Sequence, residues 1–318
     1  MGRVKAAARN IIFGYIGNLT TQLLGFVLRT IFIRHLGQTL NGVNALYTGI
    51  LSVLSMAELG IGTALNYSLY KPVIHKDYEK IKSYMLLYKK AYRIIGFVVA
   101  GIGLVIVPFL PYLVKQPEGI TLRDLTLYYL IFLFNTVSSY FVAYKYSLVN
   151  AEQKNYIQTN IITVTKMITV TLQIIVILTT GNFYAYLLTA ATVELLQKIF
   201  VSRYLNNMYP YLKEKDIKPL TKEEVGEVVK KTKALVLHKV GDVARLQTDA
   251  MIISGFINVT LSGIVDNYNL VISSVSNFVN IIFNSVLSSF GNLIATESRQ
   301  KQYEIFKVYR FFACWIYG

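Results

Sequence analysis

The chain has 318 residues, 54% of them hydrophobic and only 15% charged, with a mean hydropathy of +0.45, which is too apolar for an ordinary soluble domain. Its net charge of +15 would suit a nucleic-acid binder, but the basic residues fall in the gaps between apolar runs. That placement points to a membrane surface and excludes nucleic acid as the partner.

Arg3, Lys5 and Arg9 precede a first apolar run from about Asn10 to Ile33. The run is too long for a signal-peptide core and lacks a small-residue cleavage site, so it reads as an uncleaved first span. Windows of about 20 apolar residues predict further spans near 43–66, 94–114, 124–146, 156–180, 183–204, 234–257 and 262–290. A ninth begins near Ile305 and stops after 14 residues at Gly318, so the sequence reads as part of a longer protein.

Several spans carry a polar face. The first sets Asn18, Gln22, Gly25 and Arg29 at i, i+4, i+7 and i+11, and the second aligns Asn44, Thr48, Ser55, Glu58, Gly62 and Asn66. Gly25, Gly60 and Gly62 are expected to let helices approach closely, with Asn, Ser and Thr as interhelical hydrogen-bonding groups. In 71–93, Ile74, Tyr78, Ile81, Met85, Tyr88 and Tyr92 recur at helical spacing among lysines, the pattern of a helix lying on an anionic leaflet. The fifth span adds Thr159, Thr163, Lys166 and Gln173, and the sixth sets Glu194 four residues before Lys198, within pairing distance on a helix. Segment 206–232 is a charged linker in which Thr221 and Glu224 form a capping-box pattern after Pro219, with a staple from Leu220 to Val225.

The stretch 233–257, which holds the seventh span, is the most heavily charged. His238, Asp242, Arg245 and Asp249 repeat the spacing of the first span, within an arc of roughly 60° at about 100° per residue, and Lys239 lies beside them. Such a stripe is too costly to face lipid and should line a bundle interior or a hydrated cavity. Lys166 and Arg245 both fall about 15 Å along their helices, near mid-membrane. Arg29 and Lys239 lie nearer the ends, where they can also snorkel. The eighth span carries Asn277, Asn280, Asn284 and Ser288.

With the N-terminus in the cytoplasm, 24 of the 32 Lys and Arg residues fall on the cytoplasmic side and three (Arg34, Lys115, Arg123) outside. The positive-inside rule therefore holds at every loop. In this count Lys145 and Lys154 belong to a cytoplasmic loop. The expected organisation is a six-span bundle over 1–205, a basic linker over 206–232 and the start of a second bundle over 233–318. Matching stripes in the first and seventh spans suit the repeat architecture of secondary transporters.

No glycine-rich phosphate loop, HExxH, GxSxG or paired-aspartate motif occurs, and His35, His75 and His238 are scattered. The lone Cys314 permits no intrachain disulfide and no cysteine-based zinc site. The chain therefore reads as a transporter without catalytic residues, metal or cofactor.

The segments ARNIIFGYIGNLTTQLLGFVLRTIFIRHLG, YTGILSVLSMAELGIGTALNYSLY, KVGDVARLQTDAMIISGFINVTLSGIVDNYNLV and SSFGNL give the chain its resemblance to bacterial polysaccharide flippases of the Wzx type. These belong to the multidrug/oligosaccharidyl-lipid/polysaccharide exporter superfamily, with the MATE drug exporters and the lipid II flippase. The resemblance implies an all-α, MATE-like membrane bundle of two pseudo-symmetric six-helix halves, the second truncated here. It also implies a multi-pass protein of the bacterial inner membrane that moves undecaprenyl-diphosphate-linked oligosaccharides between leaflets by alternating access, beside membrane lipids and a glycan polymerase complex. For an anionic diphosphate the cation candidates are Arg29, Lys166 and Arg245, with Lys239 at the cytoplasmic entrance. Asp242, Asp249 and Glu58 are candidates for proton or sodium coupling, or they neutralise Arg245. Alternatives are the same fold carrying lipid II, a teichoic-acid precursor or a cationic drug, and a membrane-embedded polymerase or ligase, against which the short outer loops speak. A membrane scaffold would not need charged stripes in several spans.

Overall fold

A computed structural model describes residues 2–58, 61–114, 119–152, 154–214, 217–230, 232–233, 248–296 and 298–317. Among these every regular element is helical: α1 (Gly2–Leu54), α2 (Ile61–His75), α3 (Tyr78–Ile106), α4 (Leu110–Leu113), α5 (Leu122–Ala151), α6 (Asn155–Thr180), α7 (Phe183–Met208), α8 (222–230), α9 (Asp249–Phe256), α10 (Val259–Thr296) and α11 (Arg299–Tyr317). Short 3-10 turns cover Ser55–Glu58, Val107–Phe109 and Pro210–Lys213. Among the described residues five stretches are long and apolar enough to cross a membrane: Ile12–Leu54, Tyr78–Leu113, Leu122–Ala151, Asn155–Thr180 and Phe183–Met208. The fold is a polytopic all-α membrane bundle.

The 53 residues of α1 are two helices joined at Gly37, whose φ of 86° suits a residue without Cβ. Before the break the chain runs from Phe13, beside Tyr156, to Phe32, which meets Phe183 and Tyr186 edge-on. After it, Tyr47 packs on Tyr129 and donates to the Leu125 carbonyl at 2.8 Å, and Leu65 and Leu69 of α2 carry the chain back. A single glycine thus replaces the loop expected over 34–42, and α1–α2 make two crossings. The second crossing is interrupted by the 3-10 turn at Ser55–Glu58. Elsewhere the turns are local chemistry: Thr121 and Asp124 form a capping box on α5, left-handed Gly181 ends α6, and Asn182 caps α7 through its Oδ1.

Chain contacts divide the protein into two compact units, Met1–Asp266 and Asn267–Gly318. The second holds the rest of α10 and α11, where Phe311, Phe312 and Trp315 are exposed and Lys307 lies over the Tyr303 ring.

In the first unit two hydrophobic layers are stacked along the helices. One gathers Phe32, Leu46, Tyr47, Tyr129, Leu133, Val170 and Phe183, and the other Leu65, Tyr88, Tyr92, Tyr140, Leu148, Val201 and Leu205. The end beyond the second layer is basic, with Lys80, Lys82, Lys89, Lys154, Lys213 and Lys222, and the opposite end carries Arg34 and Arg123. Large apolar side chains such as Ile94, Phe97, Val105 and Leu178 are exposed on the outer surfaces, as lipid-facing residues are.

Three expectations change. From Tyr78 on, the stripe in 71–93 belongs to α3, a continuous extension of the third span, and Ile81, Met85, Tyr88 and Tyr92 are at most 3% exposed, whereas Ile74 ends up in α2 and is exposed. The α3 part packs into the second protein layer and does not lie on a leaflet. Lys145 is inside α5 and buried, because the helix runs on to Ala151. Among the described residues a Cβ at Gly25 would meet nothing within 4 Å, whereas one at Gly17 would strike Thr163 at 2.6 Å. Gly17 is therefore the residue that lets α1 and α6 close. Gly60 lies outside the described residues, and a Cβ at Gly62 would meet only the Tyr92 hydroxyl, at 3.0 Å.

Candidate functional site

Between the two apolar layers lies a polar belt. On α5 it falls between Leu133 of one layer and Tyr140 of the other, on α6 between Ile157 and Val170, and on α7 between Leu187 and Val201. A cavity of about 310 Å³ opens here, walled by Asn44 and Thr48 of α1, Asn135 of α5, Lys166, Thr169 and Gln173 of α6, and Tyr186 and Glu194 of α7. The expected polar faces of the second and fifth spans thus meet in one place. Gln173 donates to the Tyr186 carbonyl at 3.3 Å, which fixes α6 to α7.

The belt's charges are held very differently. Lys198 is 8% exposed, and its ammonium donates to the Asn135 carbonyl (2.9 Å), Asn135 Oδ1 (2.6 Å) and Ser138 Oγ (2.8 Å). Glu194, four residues earlier, is 4.0 Å away and accepts from Asn135 Nδ2 at 2.6 Å. Asn135 therefore binds both members of the expected helical pair. All three donors of Lys198 are used within the protein. Lys166 is exposed on the cavity wall and, among the described residues, makes no hydrogen bond or ion pair. It is a free cation facing Glu194 across a polar chamber. Glu58, on the interrupting turn, accepts from the Tyr92 hydroxyl at 2.8 Å.

Arg29 does not line this cavity and belongs to a cluster towards the end opposite the basic one. It donates to Asp266 at 2.6 Å and to Asn41 Oδ1, and Asn41 Nδ2 in turn donates to the Gly263 carbonyl at 2.9 Å. Thr39 and Thr260 hydroxyls meet at 3.1 Å. A Cβ at Gly42 would fall 1.8 Å from the Val259 carbonyl oxygen, and one at Gly263 2.6 Å from the Gly42 nitrogen. The start of α10 is thus laid backbone-to-backbone on the second helix of α1, which only glycine permits. Arg29, Asn41 and Asp266 form a latch across that contact, and the charge of Arg29 is already met.

Asp249 is exposed in the first turn of α9. Arg245, Lys239, Asp242 and His238 lie outside the described residues, and with them the seventh-span stripe and its match to the first span. The sequence reading missed Asp266, Asn135 and Lys145. Asp266 carries the signal of an acidic residue one turn into a span, and Lys145 that of a cation within the apolar run YFVAYKYSLV. Asn135 is one polar residue among many.

No protein-family model and no curated protein matches the sequence. Among solved structures, the inward-facing conformation of a multidrug resistance MATE family transporter of the MOP superfamily is similar to it. The TM-score is 0.56 and the identity 14%, over 87% of this chain and 66% of that one. At that identity the likeness is one of fold: a MATE-like bundle, of which this chain spans 66% of the partner's length.

Proposed function

We propose that the chain belongs to a membrane transporter working by alternating access, and that its cargo is a lipid-linked oligosaccharide carrying a diphosphate, of the undecaprenyl-diphosphate type. The observation that carries this reading is Lys166, a cation with no hydrogen bond or ion pair among the described residues, on the wall of a polar cavity midway along the bundle. An intramembrane ammonium without a counter-ion is costly unless something anionic visits it. A phosphate oxygen offers charge-assisted hydrogen bonds in a place shielded from bulk water.

In this reading the basic end faces the bacterial cytoplasm, by the positive-inside rule, and 233–318 begins a second bundle related to the first. Arg245 is the matching cation from that bundle, and Lys239 receives cargo at the cytoplasmic entrance. Arg29, being paired with Asp266, contributes to opening and closing. Glu58, Asp242 and Asp249 are the candidates for proton or sodium coupling, and a glycan polymerase is the expected downstream partner.

A second reading has one observation in its favour. Glu194 lines the same cavity as Lys166, and the similar solved structure is titled a multidrug resistance transporter. A cationic drug would use Glu194 where a diphosphate uses Lys166.

Export of surface glycan in cells that depend on the full-length protein separates the two. Lys166→Ala should cut export roughly tenfold, the loss of one charge-assisted contact, at unchanged protein level, while Glu194→Gln should retain it. Full export by Lys166→Ala would remove the anionic cargo. Loss of drug efflux by Glu194→Gln alone would establish the second reading.

A further inference from the structure

A separate cavity of about 640 Å³ lies at the basic end, between α3, α5, α7 and the segment after α7. Among the described residues its lining carries Lys82, Lys89, Arg93, Lys145 and Lys213 against a single carboxylate, Glu214. Lys82 is spoken for, bonded to Glu79 at 2.5 Å and Glu214 at 2.7 Å. Lys145 is 9% exposed, and its partners are all neutral: the Ser202 carbonyl (3.2 Å), Ser202 Oγ (2.8 Å) and Asn206 Oδ1 (2.8 Å). Lys89 and Arg93 make no ion pair among the described residues. Three cations thus converge on one hollow with no carboxylate of their own among the described residues, an arrangement that is expensive without a resident anion.

The hollow is also amphipathic. Lys82, Lys89 and Arg93 stand at i, i+7 and i+11 on α3, and the next position of that row is Phe97. Phe97 is 68% exposed and meets Phe141 of α5 edge-on, and Phe141 itself lines the cavity. Charge at the basic end therefore gives way to exposed aromatic surface about one turn further into the bundle. A soluble anion would use only the first half of this row. An anionic phospholipid would use both, with its phosphate among the cations and its acyl chain along Phe97 and Phe141.

From this geometry we infer that the hollow between α3, α5 and α7 is a phosphate-binding site, separate from the mid-bundle cavity, that takes the headgroup of an anionic phospholipid through Lys89 and Arg93, with Lys145, whose three donors are held by Ser202 and Asn206, adding its charge. It depends on the cavity and its cations and stands whatever the cargo is.

The test uses the whole chain in detergent, with phosphatidylglycerol or phosphatidylcholine titrated in and bound lipid counted by native mass spectrometry. A parallel arm adds inorganic phosphate and reads thermal unfolding. Phosphatidylglycerol should be retained over phosphatidylcholine, and Lys89→Ala with Arg93→Ala should lower that retention roughly tenfold. The exposed pair Lys71→Ala with Lys90→Ala should leave it unchanged. Because Lys89 and Arg93 hold no internal partner among the described residues, the double variant should unfold at the wild-type temperature without lipid, which separates lost binding from lost folding. Stabilisation by inorganic phosphate alone, abolished in the same double variant, would keep the phosphate site and assign it to a soluble anion. Equal lipid retention and equal phosphate response in wild type and Lys89→Ala/Arg93→Ala would overturn the inference. So would an equal loss in the Lys71/Lys90 control.

Discussion

Two lysines one helix apart, Lys166 and Lys198, show how the same side chain can be structural or available. Lys198 fills its three donor positions with Asn135 and Ser138, whereas Lys166 has no such partner among the described residues. Removing a buried cation that satisfies several polar groups leaves those groups unmatched, at a cost of about 3 kcal/mol. Lys198→Ala should therefore lower the unfolding temperature in detergent clearly, and Lys166→Ala should not. The reverse order would contradict both assignments. Of these residues the sequence shows Lys198 with Glu194, because a spacing of four is local to one helix. The pairings of Asn135 and Asp266 are invisible to it, since they lie 63 residues from Lys198 and 237 from Arg29. Only the fold brings them together.

At the scale of elements, α3 and α8 show what periodicity tells and what it omits. The stripe of α3 is legible in the sequence, but an apolar stripe looks the same whether lipid or protein covers it. Here Val142, Leu148 and Leu205 belong to the layer that covers it. The start of α8 is legible because capping is local: Thr221 N–H donates to Glu224 at 3.0 Å, and Glu224 N–H donates back to Thr221 Oγ1 at 3.3 Å. Unforeseen was that Glu224 also pairs with Lys80 of α3, clasping α8 to the third span. Lys80 and the Thr221 backbone hold the Glu224 carboxyl below the usual carboxylate range. A depressed folded value means that the clasp is fully present above the ordinary carboxylate pKa and is lost as pH falls through the lower one. Amide exchange in 222–230, corrected for intrinsic rates, should stay flat above roughly pH 5 and rise in acid. In Glu224→Gln that acid response should vanish. A wild-type clasp that loosened towards alkaline pH would contradict the pairing.

At the scale of the molecule, two apolar layers enclose a polar belt, and a backbone-tight latch joins α1 to α10 at the end opposite the basic one. The bundle, its span order and its charge asymmetry are legible in composition and hydropathy, because a bilayer leaves the chain few choices. The latch is not, because Gly42 and Gly263 carry no pattern, and Asp266 has no visible partner, until α1 is bent at Gly37. Alternating access requires this closed end to part in the other state, moving Thr39 away from Thr260. The most direct measurement is therefore a cross-link across the latch. In a Cys314→Ser background, Thr39→Cys with Thr260→Cys replaces two hydroxyls that now stand 3.1 Å apart. Oxidation should join them and stop export, and reduction should restore it. Undiminished export with the cross-link complete would mean that this end never opens, and that the protein does not transport by alternating access.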